Sequence, residues 1–182
     1  MTSLLQTIQS GRRAKPPRVL LYGVEGIGKS TFGSQAPKPI FIQTEDGLDE
    51  LECDRFPLSA TFDDVIAALK TLRQEKHGYE SVVIDSLDCH ERLVRDTLCQ
   101  QYGVESIENV DGGYARGYMH ALTLWREVLD HLNDLRARGM VVVLIAHSKV
   151  ERFEDPESSP YDRYSVSYTH LTLPTKEDEC RG

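Results

Sequence analysis

The nine residues GVEGIGKST (Gly23–Thr31) restrict what this chain can fold into more than any other stretch. Glycine inside a helix or strand costs roughly 0.5–1 kcal/mol relative to alanine, so Gly23, Gly26 and Gly28 argue for a loop there. The same glycines let the backbone curl until successive amides point inward, a concave shape that binds phosphate. Their spacing, G-x-x-x-x-G-K-[ST], carries that chemistry only between a strand and a helix. Both flanks are present. The apolar run RVLLYG (18–23) precedes the loop, and a short helix follows it until Gly33 weakens it and Pro37 ends it. Gly23, Val24, Glu25, Gly26, Ile27, Gly28, Lys29, Ser30 and Thr31 are thus the expected nucleotide-binding residues. In that arrangement Lys29 bridges the β- and γ-phosphates, Ser30 offers its hydroxyl to magnesium, and Thr31 reaches the α-phosphate.

Around the loop, short apolar runs alternate with helical patterns, as in β-α units about a parallel sheet. The strand candidates are 18–23, PIFIQT (39–44), SVVID (81–85) and MVVVLIA (140–146), each apolar enough to be covered on both faces. TFDDVIAALKTLRQE (61–75) reads as a helix with Thr61 as N-cap and Val65, Leu69 and Leu72 on its buried face. HERLVRDTLCQQYG (90–103) reads as a second helix, capped by Gly103. The longest helix is expected from about Tyr114 to Arg138, with Tyr118, Leu122, Trp125, Leu129 and Leu132 as its core stripe and Gly139 as its stop. A chain of 182 residues with 40 % hydrophobic content can build one such core without disulfides. Its four cysteines, Cys53, Cys89, Cys99 and Cys180, form no zinc-like spacing and are expected as thiols in a reducing cytosol. A net charge of −8 excludes coating nucleic acid through overall charge and leaves room for a local basic groove. No run has the length of a membrane span, and the start of the chain lacks a signal-peptide pattern.

Asp85 closes the third strand, where a carboxylate can hold magnesium through a water. Many ATPases carry a glutamate directly after that aspartate to prepare the attacking water, but here Ser86 follows. The carboxyl ends of parallel strands share one edge, so Glu45 and Asp46, at the end of the second strand, face the same place as the phosphate loop. Glu45 is the candidate that orients or deprotonates a water there.

The segments IFIQTEDGLDEL, VVIDS and VVVLIAHS resemble, in order, segments of RecA-type ATPases, and the resemblance spans Arg18 to about Ser148. It implies a P-loop NTPase fold of the RecA-like kind, a mostly parallel β-sheet sandwiched by helices. In that family the glutamate on the neighbouring strand is catalytic, which corresponds to Glu45. The family's sensor, often a glutamine contacting the γ-phosphate, corresponds to His147, whose neutral ring could donate to a phosphate oxygen. More closely, residues 18–165 resemble short bacteriophage ATPases of the AAA/RecA superfamily, a group that includes single-strand-annealing recombination proteins. That resemblance implies Lys29, Glu45 and His147 as catalytic residues, Ser30 and Asp85 as magnesium ligands, and ATP as substrate. It further implies single-stranded DNA as partner, a homo-oligomer, and a location in the host cytoplasm without membrane attachment. By analogy, ENVDGGYARGY (108–118) and SKVERFEDPESSPYDRY (148–164) stand where the family's two DNA loops lie. Tyr114, Arg116, Lys149 and Arg152 then supply the aromatic and basic chemistry of single-strand binding, against the acids Glu151, Glu154, Asp155 and Glu157.

Two other readings compete: a P-loop phosphotransferase acting on a small substrate, and a nucleotide-dependent assembly switch in a replication or packaging machine. The expected organisation is a basic lead-in (1–17), an ATPase core (18–165) and a tail (166–182). VSYTHLTLPT (Val166–Thr175) resembles translated sequencing-adaptor DNA, so the tail is expected to be non-native and the core C-terminally truncated.

Overall fold

The computed structural model describes residue 11, residues 15–153 and residues 161–166, the last six together with residues 149–151 and 153 by backbone alone. Most of the basic lead-in and the tail beyond residue 166 lie outside the described residues.

In chain order the elements are β1 (Arg18–Gly23), α1 (Lys29–Ser34), β2 (Pro39–Gln43), β3 (Asp54–Arg55), α2 (Phe62–Gln74), β4 (Ser81–Asp85), α3 (Leu87–Tyr102), a 3-10 segment (Ile107–Gly112), α4 (Arg116–Ala137), β5 (Val141–Phe153) and β6 (Tyr161–Val166). The sheet runs β1-β5-β4-β2-β3, with every one of these neighbours parallel. The expected α/β architecture is therefore present. Alternation along the strands sorts the core onto two faces. Ile40, Ile42, Val82, Ile84, Val142, Leu144 and Ala146 pack with residues of α2, α3 and α4, among them Leu69, Val94 and Leu132. Phe41, Val83, Val143 and Ile145 form the opposite face with Leu48. Thr61 caps α2 as expected, in a reciprocal pairing with Asp64, and Gly103 closes α3 in the left-handed conformation.

Several expectations are corrected. The segment 148–164 is not one long loop: β5 continues to Phe153 and pairs antiparallel with β6, from Ser148↔Val166 to Phe153↔Tyr161. Val150, Phe153, Tyr161, Tyr164 and Val166 have the β-branched and aromatic character that suits such pairing. Helix α3 begins at Leu87, three residues before the expected start, because the chain turns helical directly after Ser86. On α4 the buried positions are Gly117, Ala121, Val128, His131, Leu132 and Leu135, whereas Leu122 and Leu129 are only partly covered. Small residues shift the seam, since a Cβ on Gly117 would lie 2.0 Å from the Ile107 carbonyl oxygen. Gly33, read as a weak point of α1, is a packing requirement: a Cβ there would meet Val83 Cγ1 at 3.0 Å and Phe41 Cζ at 3.2 Å. Among the described residues no helix is long and apolar enough to cross a membrane.

His90, on α3, is wholly buried, edge-on to Trp125 with ring centroids 4.7 Å apart. Neither ring nitrogen has a hydrogen-bond partner among the described residues. Burial pushes its pKa down to about 4 from the ordinary 6.5. Between those two values the unfolded chain binds a proton at this position and the native chain does not, so stability falls as pH falls. The complete loss amounts to about 3 kcal/mol by pH 4. His90→Leu is expected to flatten the decline of Tm between pH 6.5 and 4.5 relative to wild type. Parallel curves for the two proteins would contradict this.

Candidate nucleotide site

Strand register assembles the site. Gly23 at the end of β1 pairs with His147 on β5, and Gln43 at the end of β2 pairs with Asp85 on β4. Thr44 locks the second pair: its amide donates to the Asp85 carbonyl at 2.8 Å, and its hydroxyl donates to the Ser86 carbonyl at 2.6 Å while accepting from the Ser86 amide at 2.9 Å. Glu45, the next residue, is thereby carried to the same edge as the phosphate loop. Glu45, Asp85 and His147 then line a cleft of about 580 Å³, with contributions from Glu25, Gly28, Lys29, Ser30 and Thr31 and from the turn Asp46–Leu48. That size suits a small ligand.

Within the loop, Gly26 (φ 76°) and Gly28 (φ 92°) adopt left-handed backbone that side-chain-bearing residues disfavour. Gly23 does not; a Cβ there would approach Ile27 Cγ2 at 3.2 Å, a tight contact with an exposed side chain. Lys29 is buried, and its ammonium donates to the carbonyls of Gly23 (3.0 Å) and Val24 (2.9 Å), inside the loop. Ile27 points outward, 67 % exposed, so any part it plays is through its backbone.

Ser30 Oγ donates to Asp85 Oδ2 at 2.5 Å, bringing a hydroxyl and a carboxylate together at the foot of the cleft. These are hard oxygen donors of the kind magnesium takes, and the residues present fit that ion. Among the described residues no group of three or more His, Cys, Asp or Glu side chains forms a protein-only metal cage. Magnesium at Ser30 and Asp85 would thus depend on phosphate oxygens and waters for its remaining ligands, as it does in nucleotide sites. Burial raises the Asp85 pKa, and the neighbouring charge of Glu45 adds to the rise, while the Ser30 hydroxyl, His147 and Lys29 oppose it.

Glu45 and His147 face each other, with His147 Nε2 3.7 Å from Glu45 Oε1. Two residues overlooked in the sequence hold this pair, both on the first turn of α3. Asp88 Oδ2 accepts from the His147 backbone amide at 2.6 Å and lies 3.1 Å from its Nδ1. The Cys89 thiol donates to Glu45 Oε2 at 3.2 Å. Burial, reinforced by that bond, pushes the Cys89 pKa up, which keeps the proton on sulfur. The available signal was position: a helix that starts directly after Asp85–Ser86 aims its first turn at the carboxyl edge of the sheet.

The residues proposed for DNA contact are not among those lining the cleft. Tyr114 is 95 % exposed and, with Asp111 and Ala115, holds a positive φ in the turn before α4. Arg116 is partly committed, donating to the Asp111 carbonyl at 3.0 Å. Arg152 is exposed on the extension of β5, and the Lys149 side chain lies outside the described residues.

A glycine-bent loop between strand and helix, with a lysine, a hydroxyl and a facing strand-end aspartate, defines a P-loop nucleotide-binding domain. The AAA domain family matches residues 15–174, and the chain belongs to that family. Among curated proteins it is similar to the SPbeta prophage-derived uncharacterized protein YorG of Bacillus subtilis strain 168, with 26 % identity over 138 residues. That alignment covers 74 % of this chain and 42 % of the relative, so the chain spans less than half the length of the protein it matches. Nucleoside triphosphate hydrolysis is the activity that family membership implies.

If Lys29 is the phosphate-binding cation, ATP with magnesium should raise the Tm of the wild-type chain and leave Lys29→Ala unmoved. At ligand concentrations of 100 Kd the stabilisation is about 2.7 kcal/mol. An equal rise in both proteins would remove Lys29 from the site.

Proposed function

We propose that the protein binds ATP with magnesium and hydrolyses it in this cleft. The observation that carries this reading is the convergence of the Ser30–Asp85 pair, the Lys29 ammonium and the Glu45 carboxylate in one cleft. Lys29 exchanges its two loop carbonyls for β- and γ-phosphate oxygens. Ser30 and Asp85 would hold magnesium, which supplies charge neutralisation on the transferring phosphoryl group. Glu45 orients a water in line with the γ-phosphorus and accepts its proton. As the new P–O bond forms, the bond to the bridging oxygen breaks and the electron pair leaves with ADP. Position favours Glu45 over Asp46, because Glu45 is half-buried against His147 and Cys89 whereas Asp46 is exposed.

The coupled partner in this reading is single-stranded DNA, engaged through the turn before α4. Tyr114 supports it: a large, exposed aromatic ring suits base stacking. Its left-handed backbone is the kind of local strain, about 1–3 kcal/mol per residue, that gathers at ligand-binding segments. ATP binding would order this surface and hydrolysis would release the strand. Recombination or annealing in a bacteriophage is the process that such coupling would serve.

Glu45→Gln should lower turnover at least a hundredfold while ATP still binds, since general-base catalysis contributes about 10²–10⁴-fold. Unchanged turnover would overturn the assignment and favour a phosphotransferase, which needs no activated water. Single-stranded oligonucleotide at low salt should stimulate the ATPase, and Tyr114→Ala should weaken the binding by about 1–3 kcal/mol. Neither stimulation nor binding would point to an assembly switch instead.

A further inference from the structure

The geometry points to Asp88 as a positioning residue that sets the tautomer of His147, so that the ring's Nε2 accepts a hydrogen bond beside Glu45 and does not donate one to phosphate. The inference deepens the hydrolysis reading and rests on it for its catalytic consequence alone.

Asp88 Oδ2 accepts the His147 amide at 2.6 Å and faces Nδ1 of the same residue at 3.1 Å. A backbone N–H can only donate, so Oδ2 is an acceptor here, and an ionised carboxylate opposite Nδ1 favours a proton on that nitrogen. A neutral imidazole has one N–H. With that proton on Nδ1, Nε2 carries a lone pair. Nε2 stands 3.7 Å from Glu45 Oε1, too far for a direct hydrogen bond and suited to a shared water. A water there could donate one proton to Glu45 and the other to His147, which fixes both its O–H directions and leaves an oxygen lone pair for attack.

The surroundings hold this arrangement in place. The Asp88 side chain is 16 % exposed and the His147 side chain 30 % exposed. Asp88 occupies the first turn of α3, where the free amides of a helix N-terminus favour a negative charge. Its other oxygen, Oδ1, is buried without a hydrogen-bond partner among the described residues, so the carboxylate is committed to His147. Cys89, the next residue, holds the opposite oxygen of Glu45 at 3.2 Å. One helical turn thereby orients both members of the pair. In this arrangement the single N–H of a neutral His147 faces Asp88, in place of the γ-phosphate contact that the family resemblance implies.

The test is nitrogen NMR of the full chain labelled at its six histidines, with His147→Gln used to assign the signal. In wild type, His147 should appear at neutral pH as the Nδ1–H tautomer. In Asp88→Ala it should move towards the Nε2–H form, and Asp88→Asn, which keeps an acceptor oxygen, should restore the wild-type pattern. In turnover, Asp88→Ala should lower kcat about tenfold or more with ATP affinity nearly unchanged, and Asp88→Asn should recover most of the loss. An Nε2–H tautomer in wild type, or a tautomer indifferent to Asp88→Ala in a protein that melts normally, overturns the inference. The wild-type spectrum decides this even if Asp88→Ala fails to fold. Absence of ATP turnover in wild type would defeat the hydrolysis reading alone, because the tautomer is read without nucleotide.

Discussion

Strand β5 lies hydrogen-bonded between β1 and β4, and the parallel register on both sides governs what can meet at the carboxyl edge of the sheet. A slip of one residue would turn His147 to the other face and bury a polar ring against aliphatic side chains. The register is protected by the strands' own composition. Val142, Val143, Leu144, Ile145 and Ala146 are all buried, alternately against the α2–α4 layer and the α1 layer. Hydrophobic packing on two faces thus specifies, to one residue, where the polar residue beyond it emerges. The site inherits its geometry from a core that contains none of its chemistry.

Much of this was legible before any coordinates. The glycine spacing, the strand before it and the aspartate closing another strand each have a local cause, and local causes survive folding. Glu45 was also within reach, because parallel strands must end on a common edge. The contact between Asp88 and His147 was not, since 59 residues separate them and neither stands in a recognisable spacing. Helix α4 shows a subtler limit. Its periodicity was plain, yet the buried seam moved towards Gly117 and Ala121, because small residues let elements approach more closely than a count of large apolar ones suggests. The antiparallel β5–β6 pairing was missed because family analogy assigned a loop to residues whose own composition favours strands.

The polar groups of the cleft form a chain of mutual dependence. Ser30 meets Asp85, Asp85 is adjoined by the Thr44 clamp, Thr44 precedes Glu45, and Glu45 is held between Cys89 and His147. The non-covalent links join different elements or their ends, so the site reports on the alignment of β2, β4, β5, α1 and α3 together. A displacement of any one of them reaches the others through hydrogen bonds of 2.5–3.2 Å and through the 3.7 Å approach of His147 to Glu45.

Gly33 gives this arrangement its clearance. Helix α1 carries Lys29 and Ser30 at one end, and at the other its backbone rests on Val83, Phe41 and Ile145 where a methyl group would not fit comfortably. Val83 lies two residues before Asp85 on β4, and Ile145 two residues before His147 on β5. The helix that bears the phosphate loop and the strands that bear the facing acid and imidazole therefore share a bearing surface about one carbon atom thick. The spacing between the two halves of the site is gauged by a side chain that is absent.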